Sequence, residues 1–86
     1  MKTDIYFKRY IKRSDTLLMK EIYFDPNGSK HWFLNGNYHR VDGPAIEYWD
    51  GTKYWYLNGN LHREDGPAYI GSNGSKQWWL NGEPYS

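Results

Sequence analysis

Two segments carry most of the polar chemistry of this 86-residue chain. They are His39-Arg40-Val41-Asp42-Gly43-Pro44-Ala45 and His62-Arg63-Glu64-Asp65-Gly66-Pro67-Ala68, set 23 residues apart. Imidazole with carboxylate is a metal-ligand set, and His31 adds a third imidazole. Ligands must converge to about 2.1 Å from one ion. Adjacent hairpins with a strand between them lie roughly 10 Å apart. The spacing therefore argues against a metal centre, and no cofactor is expected. Nucleophilic catalysis needs an activated side chain with a base and an orienting group. Cysteine is absent, and Ser14, Ser29, Ser72, Ser75 and Ser86 fall in turns or at the terminus. The chain reads as a non-enzyme.

Recognition is the remaining chemistry. The His-Arg-x-Asp-Gly-Pro-Ala segments are two copies of a basic-acidic patch that could read a partner. A local reading is favoured over it. Asp can accept turn amides and pair with the Arg two residues before it, while His packs at a strand end. Aromatic residues are the other resource. Trp, Tyr and Phe number 5, 9 and 3, and one buried ring removes roughly 150–250 Å² from water. Aliphatic residues are scarce, so the core must be aromatic. Exposed aromatics beside Arg are also typical protein-binding hot spots.

The elements that position these residues follow from a strict repeat. Residues 28–50, 51–73 and 74–86 align at a period of 23 without a slip. Gly28, Gly51 and Gly74 coincide, as do Trp32, Trp55 and Trp78, and Leu34, Leu57 and Leu80. A period in this range means an array of supersecondary units. Six Asx-Gly pairs punctuate it: Asn27-Gly28, Asn35-Gly36, Asp50-Gly51, Asn58-Gly59, Asn73-Gly74 and Asn81-Gly82. Each can occupy a type I′ hairpin turn. Between them lie short runs that suit a pleated surface. Expected strands are Lys30–Leu34, Ala45–Trp49, Lys53–Leu57 and Lys76–Leu80, with short ones at Asn37–His39 and Asn60–His62. Tyr69 and Ile70 start a strand that should be weaker, because Gly71 and Ser72 replace Tyr48 and Trp49.

Alternation along the strands sorts two faces. Trp32, Leu34, Trp55, Leu57, Trp78 and Leu80 are expected to form the core, with Ala45 and Ala68 close by. Phe33, Tyr54, Tyr56 and Trp79 fall opposite, half exposed. At the N-terminus, Asp4–Lys12 alternates as a strand, with a short helix as the alternative. Leu17–Phe24 reads as a degenerate half-repeat. The expected organisation is a cap over 1–27, repeats over 28–50 and 51–73, and a partial repeat over 74–86, all one domain. Pro84 would blunt the open edge at that end.

The carriers Tyr54-Trp55-Tyr56-Leu57-Asn58-Gly59, His62 and Gly66, repeated at Trp32–Gly36, His39 and Gly43, resemble MORN repeats. They are closer to the variant MORN-type repeats of bacteria and viruses. The likeness covers 28–82 well and 17–86 loosely. Many MORN repeats have Gly after the His position; this chain has Arg40 and Arg63 there. The resemblance implies an all-β, elongated antiparallel β-meander of about two and a half hairpin repeats with an N-terminal capping hairpin. It implies a protein-binding scaffold and no single activity. The Trp-rich style looks phage-like. Cell-wall-binding repeats, in which aromatics cage choline or sugars, are a weaker resemblance.

Bulk properties narrow the partner. A net charge of +1 gives no field to steer nucleic acid or an acidic membrane. Lys8, Arg9, Lys12, Arg13 and Lys20 read as a solvated strand face. No apolar run approaches the roughly 18–20 residues that span a bilayer, and charges interrupt the first eighteen residues where a signal peptide would need an apolar core. The expected setting is a cytoplasm, that of the host if the chain is phage-encoded. The expected role is non-catalytic binding of another protein, such as inhibition of a host factor by a small phage or bacterial protein. Tyr54, Tyr56, Trp79, Trp49, Arg40 and Arg63 would carry the contacts. The open sheet ends also invite a partner strand or a second copy. The competing role is a carbohydrate or cell-envelope binding module using the same aromatics. Positions that vary between copies, His31/Tyr54/Gln77, Phe33/Tyr56/Trp79, Tyr38/Leu61 and Trp49/Ser72, are where specificity is free to reside.

Overall fold

The turns decide the architecture. Asn35-Gly36, Asn58-Gly59 and Asn81-Gly82 have both residues at positive φ, near +50° for Asn and between +80° and +87° for Gly. These are the two-residue type I′ hairpins that the Asn-Gly pairs predict. The other three Asx-Gly pairs behave differently, which corrects the expectation. At Gly28, Gly51 and Gly74 only the glycine has positive φ. There the chain makes a three-residue loop: Gly51 N–H donates to Tyr48 O at 3.0 Å, and Tyr48 N–H donates to Thr52 O at 2.9 Å. This is a type I turn followed by a glycine bulge. The reason lies in the Asx side chain. Asn27, Asp50 and Asn73 each accept the N–H two residues on, at 3.0 Å, which holds the Asx residue at negative φ.

The computed structural model describes residues 5–13 and 16–85, with side chains described over 20–85. It is all-β, and every strand pairing is antiparallel. Strands β1 (Ile5–Arg13) and β2 (Thr16–Phe24), nine residues each, form a hairpin, so the expected segment is strand rather than helix from Ile5 on, and Asp4 lies outside the described residues. Then come β3 (Lys30–Leu34), β4 (Asn37–Tyr38), β5 (Ile46–Glu47), β6 (Lys53–Tyr54), β7 (Tyr56–Leu57), β8 (Asn60–Leu61), β9 (Tyr69–Ile70), β10 (Lys76–Leu80) and β11 (Glu83–Tyr85). The sheet runs β1-β2-β3-β5-β6-β9-β10-β11, with β4 beside β3 and a separate β7-β8 ladder. Extents of 40 × 37 × 17 Å make a plate.

The repeat is a repeat of hydrogen bonds. Trp32 N–H donates to Ala45 O and Trp55 N–H to Ala68 O; Ala45 N–H donates to Tyr54 O and Ala68 N–H to Gln77 O. Gly59 N–H reaches back to Tyr38 O as Gly82 N–H does to Leu61 O. Each bond is thus reproduced 23 positions later, because equal spacing presents the same donors and acceptors to each neighbour. The run expected as one strand over Lys53–Leu57 is interrupted at Trp55, whose N–H turns to Ala68 O. The strand at Tyr69–Ile70 is as long as its counterpart Ile46–Glu47. The Tyr48→Gly71 change does not shorten it. A Cβ on Gly71 would lie 2.6 Å from the Tyr69 hydroxyl, so the Tyr69 ring takes the space.

The core is not the Trp-Leu ladder. The fully covered apolar side chains are Ala45, Ile46 and Ala68, at 0%, 4% and 0% exposure. Trp32, Leu34, Trp55 and Leu57 are half-buried, and Trp78 and Leu80 are exposed. The described strands lie in a main sheet and a two-stranded ladder within a molecule only 17 Å thick, so large side chains are covered mainly by their neighbours on the same face. Small residues that sit under those neighbours become the interior.

Candidate interaction surface

One face is paved with tyrosine. Directly opposed strand positions place Tyr23, His31, Ile46, Tyr54 and Tyr69 in one row across β2, β3, β5, β6 and β9. Eight rings touch in sequence on this face. Tyr23 meets Phe33 edge-on at 5.3 Å, Phe33 stacks on Tyr38 at 4.4 Å, and Tyr38 stacks on Tyr56 at 5.3 Å. Tyr54 contacts Tyr56, Tyr69 and Tyr48. His31 contacts both Tyr38 and Tyr48. Tyr38, Tyr56, Tyr54, Tyr48 and His31 therefore close a circuit, and Ile46, paired with His31 and Tyr54, lies inside it. Such ring pairs add about 0.5–1.5 kcal/mol each beyond area burial. His31 is fixed at both nitrogens, 2.9 Å from Asp25 Oδ2 and 3.5 Å from the Tyr38 hydroxyl. Burial, followed by the neighbouring phenols, pushes the Tyr38, Tyr54 and Tyr56 hydroxyls above their ordinary pKa, so these phenols are neutral at neutral pH.

The opposite face carries the two polar segments, and there the Arg–Asp pairing of the local reading is present, joined by an Arg bond to the Pro carbonyl that the reading did not include. Arg40 Cζ lies 3.8 Å from the Trp32 ring centroid, and Arg63 Cζ lies 4.0 Å from that of Trp55. Arg40 Nε donates to Asp42 at 3.0 Å and its Nη1 to Pro44 O at 3.1 Å. Arg63 does the same with Asp65 and Pro67 O, at 3.2 and 3.1 Å. On its far side each guanidinium meets a glycine. A Cβ on Gly43 would be 2.9 Å from Arg40 Cζ, and one on Gly66 would be 2.8 Å from Arg63 Cζ. The segment is a sandwich of Trp, guanidinium and Gly backbone, tied by Asp and a Pro carbonyl. The Arg40 guanidinium and its hydrogen bond hold the Asp42 carboxyl below its ordinary pKa.

The histidines join repeats. His39 Nδ1 accepts Asn58 N–H at 2.9 Å, and His62 Nδ1 accepts Asn81 N–H at 3.0 Å. Each imidazole thus ties its own repeat to the next repeat's Asn-Gly turn. Among the described residues no group of three or more His, Asp or Glu side chains could hold a metal ion.

The six expected contact residues do not form one surface. Tyr54 and Tyr56 lie in the ring circuit. Trp79 occupies the position of Phe33 and Tyr56 in the third copy, half-buried, its Nε1–H donating to Gln77 at 3.1 Å. Trp49, 68% exposed in the β5–β6 loop, is the most open aromatic among the residues whose side chains are described. Arg40 and Arg63 lie on the other face, 22% and 25% exposed in their side chains, with their guanidiniums committed internally. Sequence reasoning missed Tyr38, Tyr48, Tyr69 and His31 as members of the paved face. The signal for Tyr38 and His31 was their variation between copies. No helix among the described residues is long and apolar enough to cross a membrane. No protein-family model, curated protein or solved structure matches this chain.

Proposed function

We propose that the chain is a non-catalytic binding module whose tyrosine face docks another protein. The observation that carries this reading is the connected set of eight rings, half-buried except for the exposed Tyr48, with Trp49 exposed next to it in sequence. A rigid aromatic surface loses little conformational freedom on binding, so more of its contact energy appears as affinity. Phenol hydroxyls supply directional donors at the same surface. The reading accords with the scaffold role that a MORN-type resemblance implies, and inhibition of a host factor is one form it takes.

Affinity capture from native host lysate, followed by mass spectrometry, identifies the partner. Tyr56→Ala/Trp79→Ala should remove that partner from the captured set while unfolding stays cooperative, and Trp49→Ala should weaken capture without changing stability. Retention of the partner by the folded double variant would place the interface elsewhere. The competing reading, carbohydrate binding by the same aromatics, rests on Trp49 and the exposed ring edges. Specific retention on a glycan array, lost in Trp49→Ala, would replace the protein-binding reading.

A further inference from the structure

The face that carries Arg40 and Arg63 is not flat. It holds two grooves of the same construction, one in each full repeat. The first is lined by Trp32 and Leu34, with Ile22 on one side and Arg40, Val41 and Asp42 on the other. The second is lined by Trp55 and Leu57, with Arg40, Val41 and Asp42 on one side and Arg63, Glu64 and Asp65 on the other. Val41, 83% exposed, belongs to both and forms the ridge between them.

The grooves lie one repeat apart. β3 and β6 have β5 between them, which at the usual strand separation is about 9.5 Å. A polyproline II helix has three residues per turn and rises about 3.1 Å per residue, so positions i and i+3 point the same way about 9.3 Å apart. In an extended strand, residues facing one way recur at about 6.7 Å, which misses the second groove. Each groove also has a free donor. Among the described residues the indole N–H of Trp32 and that of Trp55 donate to no protein group, and neither is sealed from solvent. A polyproline II backbone has no internal hydrogen bonds, so its carbonyls are available to accept. An α-helix meets the spacing at i and i+7, about 10.5 Å, but its carbonyls are already bonded.

Charge selects one end of the occupant. Asp42, Glu64 and Asp65 leave 85%, 82% and 89% of their side chains exposed, while both guanidiniums turn inward onto Trp32 and Trp55. Lys20 stands at the far wall of the first groove. The open charge around the second groove is therefore negative, and a cation is favoured there. We propose that this face binds a proline-rich segment of another polypeptide in the polyproline II conformation, with residues i and i+3 in the two grooves and an Arg or Lys beside Glu64. Such a segment is pre-ordered, and aromatic-lined grooves are a general way of holding it. The tyrosine face takes no part, so this site stands or falls apart from the proposed function.

The test titrates the ¹⁵N-labelled protein with a nine-residue oligoproline that ends in Arg. The indole N–H signals of Trp32 and Trp55 and the Val41 amide should shift along one binding curve. A Gly-Ser peptide of equal length with the same Arg should bind about tenfold more weakly, because it must be ordered on binding. A three-proline peptide with the same Arg, too short to reach both grooves, should lose a similar factor. Replacing the Arg with Glu should weaken binding about threefold, and Glu64→Gln should shrink that difference. The peptide comparisons leave the protein unaltered, so they do not depend on a variant that folds. Equal affinity of the oligoproline and Gly-Ser peptides overturns the proposal. So do the absence of shifts with millimolar oligoproline, and shifts confined to one indole or to the tyrosine face. Shifts at both indoles with an amphipathic helical peptide, and not with oligoproline, would assign the grooves to a helix instead.

Discussion

Arg63 lies between two flat groups, the Trp55 indole on one side and the Gly66 backbone on the other. The geometry explains why the segment needs glycine where φ is ordinary. The restriction is the space under the guanidinium, which one methyl group would occupy. Gly66→Ala should therefore displace Arg63 from Trp55 and from Pro67 O, at a cost of about 1–3 kcal/mol. Urea denaturation measures it. In an Arg63→Ala background the same substitution should be nearly neutral, and this non-additivity separates displacement of the Arg from a general backbone effect. The local reading of His-Arg-x-Asp-Gly-Pro-Ala was legible because Arg, Asp and Pro are near in sequence. Trp55, eight residues before Arg63, was not legible as its stacking partner. That contact depends on the chain reversing at Asn58-Gly59 and bringing the two onto one face.

The hairpin is the element that transmits order along the array, and its histidine is the tie. His39 Nδ1 can accept Asn58 N–H only while it is unprotonated. Burial, then the nearby Lys20 charge, lowers the His39 pKa below its ordinary 6.5. Between the folded and unfolded pKa values the unfolded chain binds more protons, so stability rises with pH across that window. The contribution is complete above the unfolded value and is lost as pH falls toward the folded one. The urea midpoint should accordingly drop between pH 7.5 and pH 5.5, and His39→Gln should flatten part of that slope. A midpoint unchanged over this range would contradict the assignment. At this scale the sequence foretold the strands and the three Asn-Gly turns. It did not distinguish the three-residue loops, because an Asx-Gly pair fits both turn types. The choice rests on whether the Asx side chain accepts the N–H two residues on.

At the scale of the whole molecule, a plate 17 Å thick buries little of either face, and its interior is confined to a few sites. Ile46, 4% exposed within the circuit of Tyr38, Tyr56, Tyr54, Tyr48 and His31, is the most consequential. Ile46→Ala should cost roughly 2–4 kcal/mol. The circuit spans β3 to β7, so tyrosine fluorescence and far-UV circular dichroism should report the same lowered midpoint. Separate midpoints would show that the rings pack independently of the sheet. The same circuit makes the tyrosine face a pre-formed surface.

The sequence by itself determined what depends on spacing and on neighbours a few residues apart. These are the 23-residue period, a chain reversal at each Asx-Gly pair, the approximate strand positions, the two-face alternation, and the local pairing of Arg with Asp. Tertiary structure alone decided which side chains are covered. It made Ala45, Ile46 and Ala68 the interior, left Trp78 partly exposed, turned Arg40 and Arg63 inward onto Trp32 and Trp55, and joined eight rings into one face. The physical reason is that alternation assigns a residue to a face, whereas burial depends on what lies across that face. In a molecule this thin, neighbouring strands supply most of that cover.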